Sequence, residues 1–271
     1  MSNTLPLAAF KPLQIKLGAA SLSAQVAGKG RPLVLCHSLL ADRTSFDLVA
    51  GALALDFQVI AVDLPGFGAS TPVEGGLNSV ADRLAEGIRA MDLAETPILL
   101  GNGYGGFVAL LAAIRHPKLA QRLVLADCGA AFSDAGRNAF LNMAANAEKG
   151  GLQAIAEVAM RRLFAPEYQA LHPELIAQRR QSFLTLDPAT FQRACLALST
   201  LDLRNELPKI DIPVLVLVGE MDEATPPSMS SELAAGLPNA QLIVLEGCAH
   251  VPQLQAPEAF MNAIGKFIKA A

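Results

Sequence analysis

Residues 98–107 read I-L-L-G-N-G-Y-G-G-F, an apolar strand that runs into a glycine-rich turn and a helix. Gly101, Gly103 and Gly106 fit the G-x-G-x-x-G pattern, which places the pyrophosphate of a dinucleotide at a helix N-terminus. Asp127 follows roughly 20 residues later, where that pattern has an acid for the ribose. With serine at position 103, the same stretch would be G-x-S-x-G, a tight turn that presents a nucleophile. The rest of the chain decides between the two interpretations.

The composition favours one large domain, or a domain with an inserted lid. The 271 residues are 52% hydrophobic and 17% charged, with a formal net charge of −4. This balance, without a long basic run, disfavours nucleic acid as a partner. No apolar segment reaches the roughly 18–20 residues that a membrane span needs, so we expect no membrane association.

The four cysteines are widely spaced and form no C-x-x-C pair: Cys36, Cys128, Cys195 and Cys248. This pattern is typical of reduced, mostly buried thiols in a cytoplasmic protein. The N-terminal residues lack a basic segment followed by a long apolar one, so we expect no signal peptide and a cytoplasmic location. No cluster has the spacing of metal ligands, and we expect neither a metal ion nor a cofactor.

Short apolar runs alternate with segments of helical period, which predicts an α/β fold with a mostly parallel sheet. Runs such as V-L-V-L-V are apolar on both faces, as parallel strands covered by helices require. The predicted strands are Leu33–His37, Gln58–Asp63, Ile98–Gly101, Arg122–Asp127, Val214–Gly219 and Gln241–Glu246. Gln14–Leu17 and Ser21–Ala27 are predicted to form an antiparallel hairpin at the sheet edge.

Helices are predicted between the strands, and one long segment differs from the rest. The predicted helices are Thr44–Leu55, Ser79–Leu93, Tyr104–Arg115, Ser228–Leu237 and Pro257–Lys269. Residues 132–205 show helical periodicity and no convincing strand. We therefore predict an α/β core of residues 1–131 and 206–271, with residues 132–205 inserted as a helical lid.

Polar stretches stand at the carboxyl ends of predicted strands, where a doubly wound sheet presents its active groups. They are L-V-L-C-H-S-L-L at 33–40, D-L-P-G-F-G-A-S at 63–70, V-G-E-M-D-E-A-T-P at 218–226 and E-G-C-A-H-V-P at 246–252. The third places Asp222 just beyond a strand, and the fourth places His250 there. The order along the chain is therefore the turn at 103, an acid and a histidine.

This set of stretches resembles the α/β-hydrolase family over nearly the whole chain, and within it the 3-oxoadipate enol-lactonases and related small ester and C–C bond hydrolases. The resemblance implies an eight-stranded, mostly parallel sheet flanked by helices. It implies that Asp222 and His250 are the acid and base of a catalytic triad, and that the backbone amides of Leu39 and Tyr104 form an oxyanion hole. The family's nucleophile, usually serine, corresponds to Gly103.

The sequence departs from the family pattern at two positions. Gly103 stands where serine is usual, and His37-Ser38 stands where the family has a His-Gly turn. A dinucleotide fold explains none of the other stretches, and its glycine loop follows the first strand, whereas about five predicted strands precede Gly103. Nucleotide binding is therefore disfavoured.

The resemblance implies hydrolysis of a small ester or enol-lactone by Ser-His-Asp chemistry. With Gly103, three explanations stay open: an engineered inactive variant, direct activation of water by His250, or a fold reused for ligand binding. A further alternative is a cofactor-free lyase or oxygenase that uses His250 as a base. The hydrolase hypothesis predicts that Gly103→Ser raises ester hydrolysis.

Several polar residues are candidates for substrate contacts: His37, Ser38, Asn102, Asp127 and Arg161. For His37 we favour bracing of the oxyanion turn, and for Asn102 local backbone hydrogen bonds. Asp127 is also an alternative to Asp222 as the acid of the triad. Arg161, Arg162 and Arg204 could bind a substrate carboxylate, as an acidic lactone would require, although surface charge is the commoner role of each. We expect a small-molecule substrate and a monomer or homodimer.

Overall fold

The computed structural model describes residues 6–270, which fold around an eight-stranded sheet. In chain order the strands are β1 (Lys11–Leu17), β2 (Ala20–Ala27), β3 (Arg31–Cys36), β4 (Phe57–Val62), β5 (Ile98–Asn102), β6 (Arg122–Ala126), β7 (Val214–Gly219) and β8 (Ala240–Leu245). Their order across the sheet is β1-β2-β4-β3-β5-β6-β7-β8. β1 and β2 form an antiparallel hairpin at one edge, β2 is antiparallel to β4, and all other neighbours are parallel.

Helices cover both faces of the sheet. They are α1 (Asp47–Leu53), α2 (Leu77–Ala90), α3 (Tyr104–Arg115), α4 (Asp134–Gly150), α5 (Ala156–Leu163), α6 (Pro166–Leu171), α7 (Pro173–Leu184), α8 (Pro188–Ser199), α9 (Pro227–Gly236), α10 (Pro252–Gln255) and α11 (Pro257–Lys269). In β3, Leu33 and Leu35 face α1 and α11, whereas Val34 and Cys36 face α2 and α3. This alternation of buried side chains explains the continuous apolar runs. The predicted fold class, an eight-stranded and mostly parallel sheet flanked by helices, is confirmed.

The boundaries of the strands and helices differ from the predictions by up to three residues. Four strands end one residue earlier than predicted, because the polar residue that follows each apolar run already belongs to the loop. Those residues are His37, Asp63, Asp127 and Glu246. The predicted helix Thr44–Leu55 begins instead as a 3₁₀ helix, Arg43–Phe46, capped by the side chain of Asp42, and continues as α1.

The segment between β6 and β7 contains α4 to α8, two 3₁₀ helices (Leu152–Ile155 and Arg204–Lys209), and no strand of the sheet within the described chain. Its two ends run side by side: Ala131 and Asp202 form an isolated antiparallel bridge, and Leu203 N–H donates to the carbonyl of Ala130 at 2.8 Å. This pairing lies close to the predicted limits of the lid. The division into core and lid stays a prediction.

Helix α3 packs unusually close to the sheet, and the glycines of the 98–107 stretch allow this. A Cβ on Gly105 would lie 2.1 Å from the carbonyl oxygen of Cys36, and one on Gly101 would lie 2.3 Å from that of Gly105. Both separations are shorter than any van der Waals contact, so larger residues do not fit there. Close packing of helix against strand therefore accounts for the glycine pattern without a bound phosphate.

Candidate active site

Gly103, Asp222 and His250 meet at the carboxyl edge of the parallel strands. Gly103 forms the turn between β5 and α3 with φ 53° and ψ −119°, a conformation that favours glycine. His250 Nδ1–H donates to Asp222 Oδ2 at 2.8 Å. A Cβ on Gly103 would lie 2.6 Å from His250 Nε2, so the imidazole faces the turn. The ends of β5, β7 and β8 thus bring together a tight turn, an acid and a histidine.

The carboxylate of Asp222 is buried and fully hydrogen-bonded. Its Oδ1 accepts from the backbone amides of Ala224 and Thr225 at 2.7 and 3.0 Å, and its Oδ2 accepts from the Thr225 hydroxyl at 2.7 Å. Burial raises the pKa of Asp222, but the charge of His250 and the hydrogen bonds from His250 and Thr225 outweigh it and lower the pKa overall. The ionised carboxylate therefore holds the proton of His250 on Nδ1 and leaves Nε2 as an acceptor.

Asp127, the alternative acid, makes no hydrogen bond or ion pair with the imidazole among the described residues. Its Oδ1 accepts from Gly219 N–H at 2.9 Å and its Oδ2 accepts from Asn102 Nδ2–H at 3.1 Å. Burial and the charge of Asp222 raise the pKa of Asp127 well above its ordinary value, which favours the uncharged form of this carboxyl group. Of the two acids left open by the sequence, Asp222 is the one that contacts His250.

Leu39 and Tyr104, the predicted oxyanion-hole residues, both line the cavity beside His250. Leu39 follows β3 outside any helix or strand, and Tyr104 opens α3, where an amide has no intrahelical acceptor. Within residues 6–270, neither amide donates a hydrogen bond. Both amides are therefore available to a negatively charged oxygen in the cavity.

Three predicted substrate contacts lie beneath the cavity instead of lining it: His37, Asn102 and Asp127. His37 Nδ1–H donates to the Ser38 carbonyl at 2.9 Å, and its Nε2 accepts from Leu64 N–H at 3.2 Å. Burial lowers the pKa of His37, which is consistent with a neutral, bracing ring. Asn102 Nδ2–H donates to the His250 carbonyl at 2.9 Å. These side chains are satisfied by protein groups because they lie in the folded interior, which the sequence order did not reveal.

The cavity between the sheet edge and the inserted helices is small and mainly apolar. Its empty space, including the opening to solvent, is about 350 Å³. The core contributes Ser38, Leu39, Leu40, Gly103, Tyr104, Phe107, Ala224, Thr225 and His250, and the inserted segment contributes Phe132, Phe140, Met143, Arg162 and Leu198. Aromatic and aliphatic side chains make up most of the lining, and its polar side chains are those of Ser38, Tyr104, Arg162, Thr225 and His250.

Arg162 is the charged residue of the inserted segment that reaches the cavity, and it replaces Arg161 as the candidate for binding a carboxylate. Arg161 is exposed to solvent on the other side of α5. Neighbouring residues of a helix point about 100° apart, so only one of the pair faces inward. Arg162 Nη2–H donates to the Ala224 carbonyl at 3.4 Å, and no carboxylate of the described residues lies within ion-pair distance. Arg204 instead pairs with Asp202 and Glu232 outside the cavity.

Sequence reasoning missed two polar residues that hold the site together. Thr225 contacts both Asp222 and His250, and its position three residues after the acid was a usable signal. Gln253 is buried beneath the histidine loop, where its Nε2–H donates to Asn102 Oδ1 at 3.0 Å. Nothing in the local sequence marks Gln253, because its partner lies far away in the chain.

The four cysteines are buried and unpaired, and burial raises the pKa of Cys36 to about 12. In the part of the chain that the structure describes, no group of three or more His, Cys, Asp or Glu side chains is arranged to hold a metal ion. No helix there is long and apolar enough to cross a membrane.

The chain is similar in sequence and structure to known proteins. Residues 33–263 match the alpha/beta hydrolase family. A pimeloyl-[acyl-carrier protein] methyl ester esterase from Nitrosomonas europaea is 31% identical over 256 residues, which cover 90% of this chain and 98% of the esterase. A thermophilic esterase from Thermogutta terrifontis superposes with a TM-score of 0.86 at 29% identity, covering 96% of this chain and 98% of that one.

The enol-lactonase likeness rests on the fold. The enol-lactonase from Burkholderia xenovorans LB400 superposes with a TM-score of 0.89, covering 95% of this chain and 100% of its own, at 24% identity. The sequence relative and the structural neighbour with higher identity are both esterases. Sequence and fold together show that this chain belongs to the alpha/beta hydrolase family.

Proposed function

We propose that the protein hydrolyses small carboxylic esters or lactones, with His250 as the general base and Asp222 as the residue that orients it. The observation that carries the proposal is the buried Asp222–His250 pair, whose Nε2 faces a cavity with two unpartnered backbone amides. A base opposite an oxyanion hole is the arrangement that acyl transfer requires. A site that only binds a ligand needs no such pair.

The size and wall of the cavity support a small substrate with an apolar part. The space that the centres of water-sized molecules can occupy is only about 30 Å³, so the cavity as it stands admits a small group and no bulky one. Phe132, Phe140 and Leu198 come from the inserted segment and close the cavity on the side away from the sheet. In this proposal residues 132–205 act as a lid that excludes water and sets the length of the acyl or alcohol group.

The proposal is tested by incubating the purified protein with 4-nitrophenyl butyrate and γ-butyrolactone in ¹⁸O-labelled water. We expect the acid product to contain one ¹⁸O atom per turnover, because water supplies the oxygen that replaces the alcohol. The Asp222→Asn variant, purified in the same way, controls for contaminating esterases. A protein that forms no more acid than this variant, from either substrate, would contradict hydrolysis at this site.

Arg162 favours substrates that carry a carboxylate in addition to the scissile ester. Its guanidinium is mostly buried, lies 5.8 Å from the Phe140 ring centroid and has no carboxylate partner among the described ion pairs. A cation in such surroundings gains more from an anionic ligand than an exposed one does, because water screens it less. We therefore extend the proposal to esters of small dicarboxylic acids.

Arg162→Gln is expected to raise KM for a monoanionic ester by about tenfold or more, the value of a hydrogen bond to a charged group. KM for an uncharged ester of the same length should change much less. Arg161→Gln, one position away and exposed, is the matched control and should leave both constants unchanged. Steady-state kinetics on the two esters measures the difference, and equal losses for both would remove the carboxylate-binding role.

A further inference from the structure

The hydroxyl of Ser38 lies beside His250, in the space that a side chain at position 103 would enter. Ser38 Oγ is 3.3 Å from His250 Nε2. A Cβ on Gly103 would lie 2.6 Å from Ser38 Oγ and 3.1 Å from Ser38 Cβ, so the two side chains could not both be present without a shift. The two departures from the family pattern are therefore complementary: a hydroxyl is missing on one strand end and present on the neighbouring one.

We propose that Ser38 is the nucleophile of this protein, in a triad with His250 and Asp222. The inference rests on the proposed ester hydrolysis and assigns its attacking atom. Asp222 fixes the proton of His250 on Nδ1, which leaves Nε2 to accept the proton of Ser38 Oγ. Among the described residues, His250 Nε2 is the hydrogen-bond partner of this hydroxyl.

The surroundings of Ser38 fix its backbone and leave its hydroxyl facing the cavity. Its carbonyl oxygen accepts from His37 Nδ1–H at 2.9 Å and from Ala41 N–H at 3.3 Å. Ser38 is 1% exposed and lines the cavity beside the two free amides, of Leu39 and Tyr104. A carbonyl carbon placed against Ser38 Oγ would thus have its oxygen within the same oxyanion hole.

The same geometry disfavours attack by a water molecule held in the place of the missing serine. The Ser38 hydroxyl lies in that region, close to both Gly103 and His250 Nε2. A water molecule would therefore need a second position near Nε2, where it would compete with Ser38 for the same lone pair. The Ser38 oxygen is therefore better placed than a water molecule to attack the carbonyl carbon.

The reaction balances as two acyl transfers. Ser38 Oγ forms a bond to the carbonyl carbon while its proton moves to His250 Nε2, and the tetrahedral intermediate expels the alcohol, which takes that proton. Water then attacks the acyl-Ser38 ester as His250 Nε2 accepts its proton. The second intermediate releases the carboxylic acid and returns the proton to Ser38 Oγ. No oxidant, metal ion or cofactor enters either step.

The assignment is tested with diethyl 4-nitrophenyl phosphate, which transfers its diethylphosphoryl group to an activated serine and releases 4-nitrophenolate. We expect one group per protein, located by peptide mass spectrometry on the peptide that contains Ser38. Ser38→Ala should take up none. Ser230→Ala, at a buried serine bonded to the Cys128 carbonyl outside the cavity, should label like the unchanged protein.

Each outcome of this experiment decides the assignment. Labelling of Ser38 supports it even if no ester is turned over, in which case only the proposed hydrolysis fails. Ester hydrolysis that persists in Ser38→Ala, with no label on Ser38, overturns the assignment while the hydrolase proposal stands. A properly folded protein that shows neither label nor turnover contradicts both.

Discussion

The double variant Ser38→Gly with Gly103→Ser is expected to hydrolyse esters within about 100-fold of the unchanged protein, although either substitution alone removes at least about 10³-fold of kcat/KM. Ser38→Gly alone removes the attacking hydroxyl. Gly103→Ser alone places a Cβ 2.6 Å from both Ser38 Oγ and His250 Nε2, which forces the imidazole away from its partner. In the double variant the Ser38 side chain no longer obstructs position 103, and the serine at 103 again provides a hydroxyl beside His250.

This expectation differs from the one drawn from the sequence, in which Gly103→Ser alone raises hydrolysis. The sequence could not show that Ser38 already fills the volume beside Gly103. Recovery in the double variant should be incomplete, because the imidazole must still shift away from a Cβ at 103 and serine is strained at a φ of 53°. Such strain costs about 1–3 kcal/mol of stability.

The measurement is a double-mutant cycle on kcat/KM for 4-nitrophenyl butyrate, with thermal unfolding of all four proteins as the control for folding. A large positive coupling between the two sites is the signature of a shared position for the hydroxyl. Additive losses, with the double variant worse than either single one, would contradict the shared position. Activation by Gly103→Ser alone would show that Ser38 is not the nucleophile.

The sequence predicted the sheet and the order of site residues because both are encoded locally. Strands read as apolar runs, and Asp222 and His250 each follow such a run within a few residues. Parallel strands bring their carboxyl ends to one edge, so placing residues there needs only the order of elements along the chain. The same reasoning located Gly103 at a tight turn between a strand and a helix.

What the sequence left open depends on contacts between distant segments. The choice between Arg161 and Arg162 depends on the rotation of α5 about its axis, which the core packing sets. The raised pKa of Asp127 depends on its burial and on its closeness to Asp222 in the folded chain. The relation of Ser38 to Gly103 depends on β3 and β5 being neighbours in the sheet. The sequence contained a signal for this last relation: Gly103 stands where the family has serine, and Ser38 stands where it has glycine.

Asp222→Asn is expected to lower kcat by about 10⁴-fold, whereas Asp127→Asn should lower it by less than about tenfold. An asparagine at 222 can present its amide N–H to His250 Nδ1, which moves the imidazole proton to Nε2 and removes the acceptor that a nucleophile needs. Burial and the charge of Asp222 raise the pKa of Asp127 and so favour its uncharged form, and asparagine is uncharged and of similar size.

The two variants can be compared directly because Asp127 and Asp222 are both buried and follow the ends of neighbouring strands. If Asp222 had a purely structural role, Asp222→Asn would lower stability in proportion to activity. Thermal unfolding of both variants is therefore measured together with kcat at saturating ester. Comparable losses of kcat in the two variants would show that the carboxyls act as one unit. A larger loss in Asp127→Asn, with stability retained, would transfer the role of orienting His250 from Asp222 to Asp127.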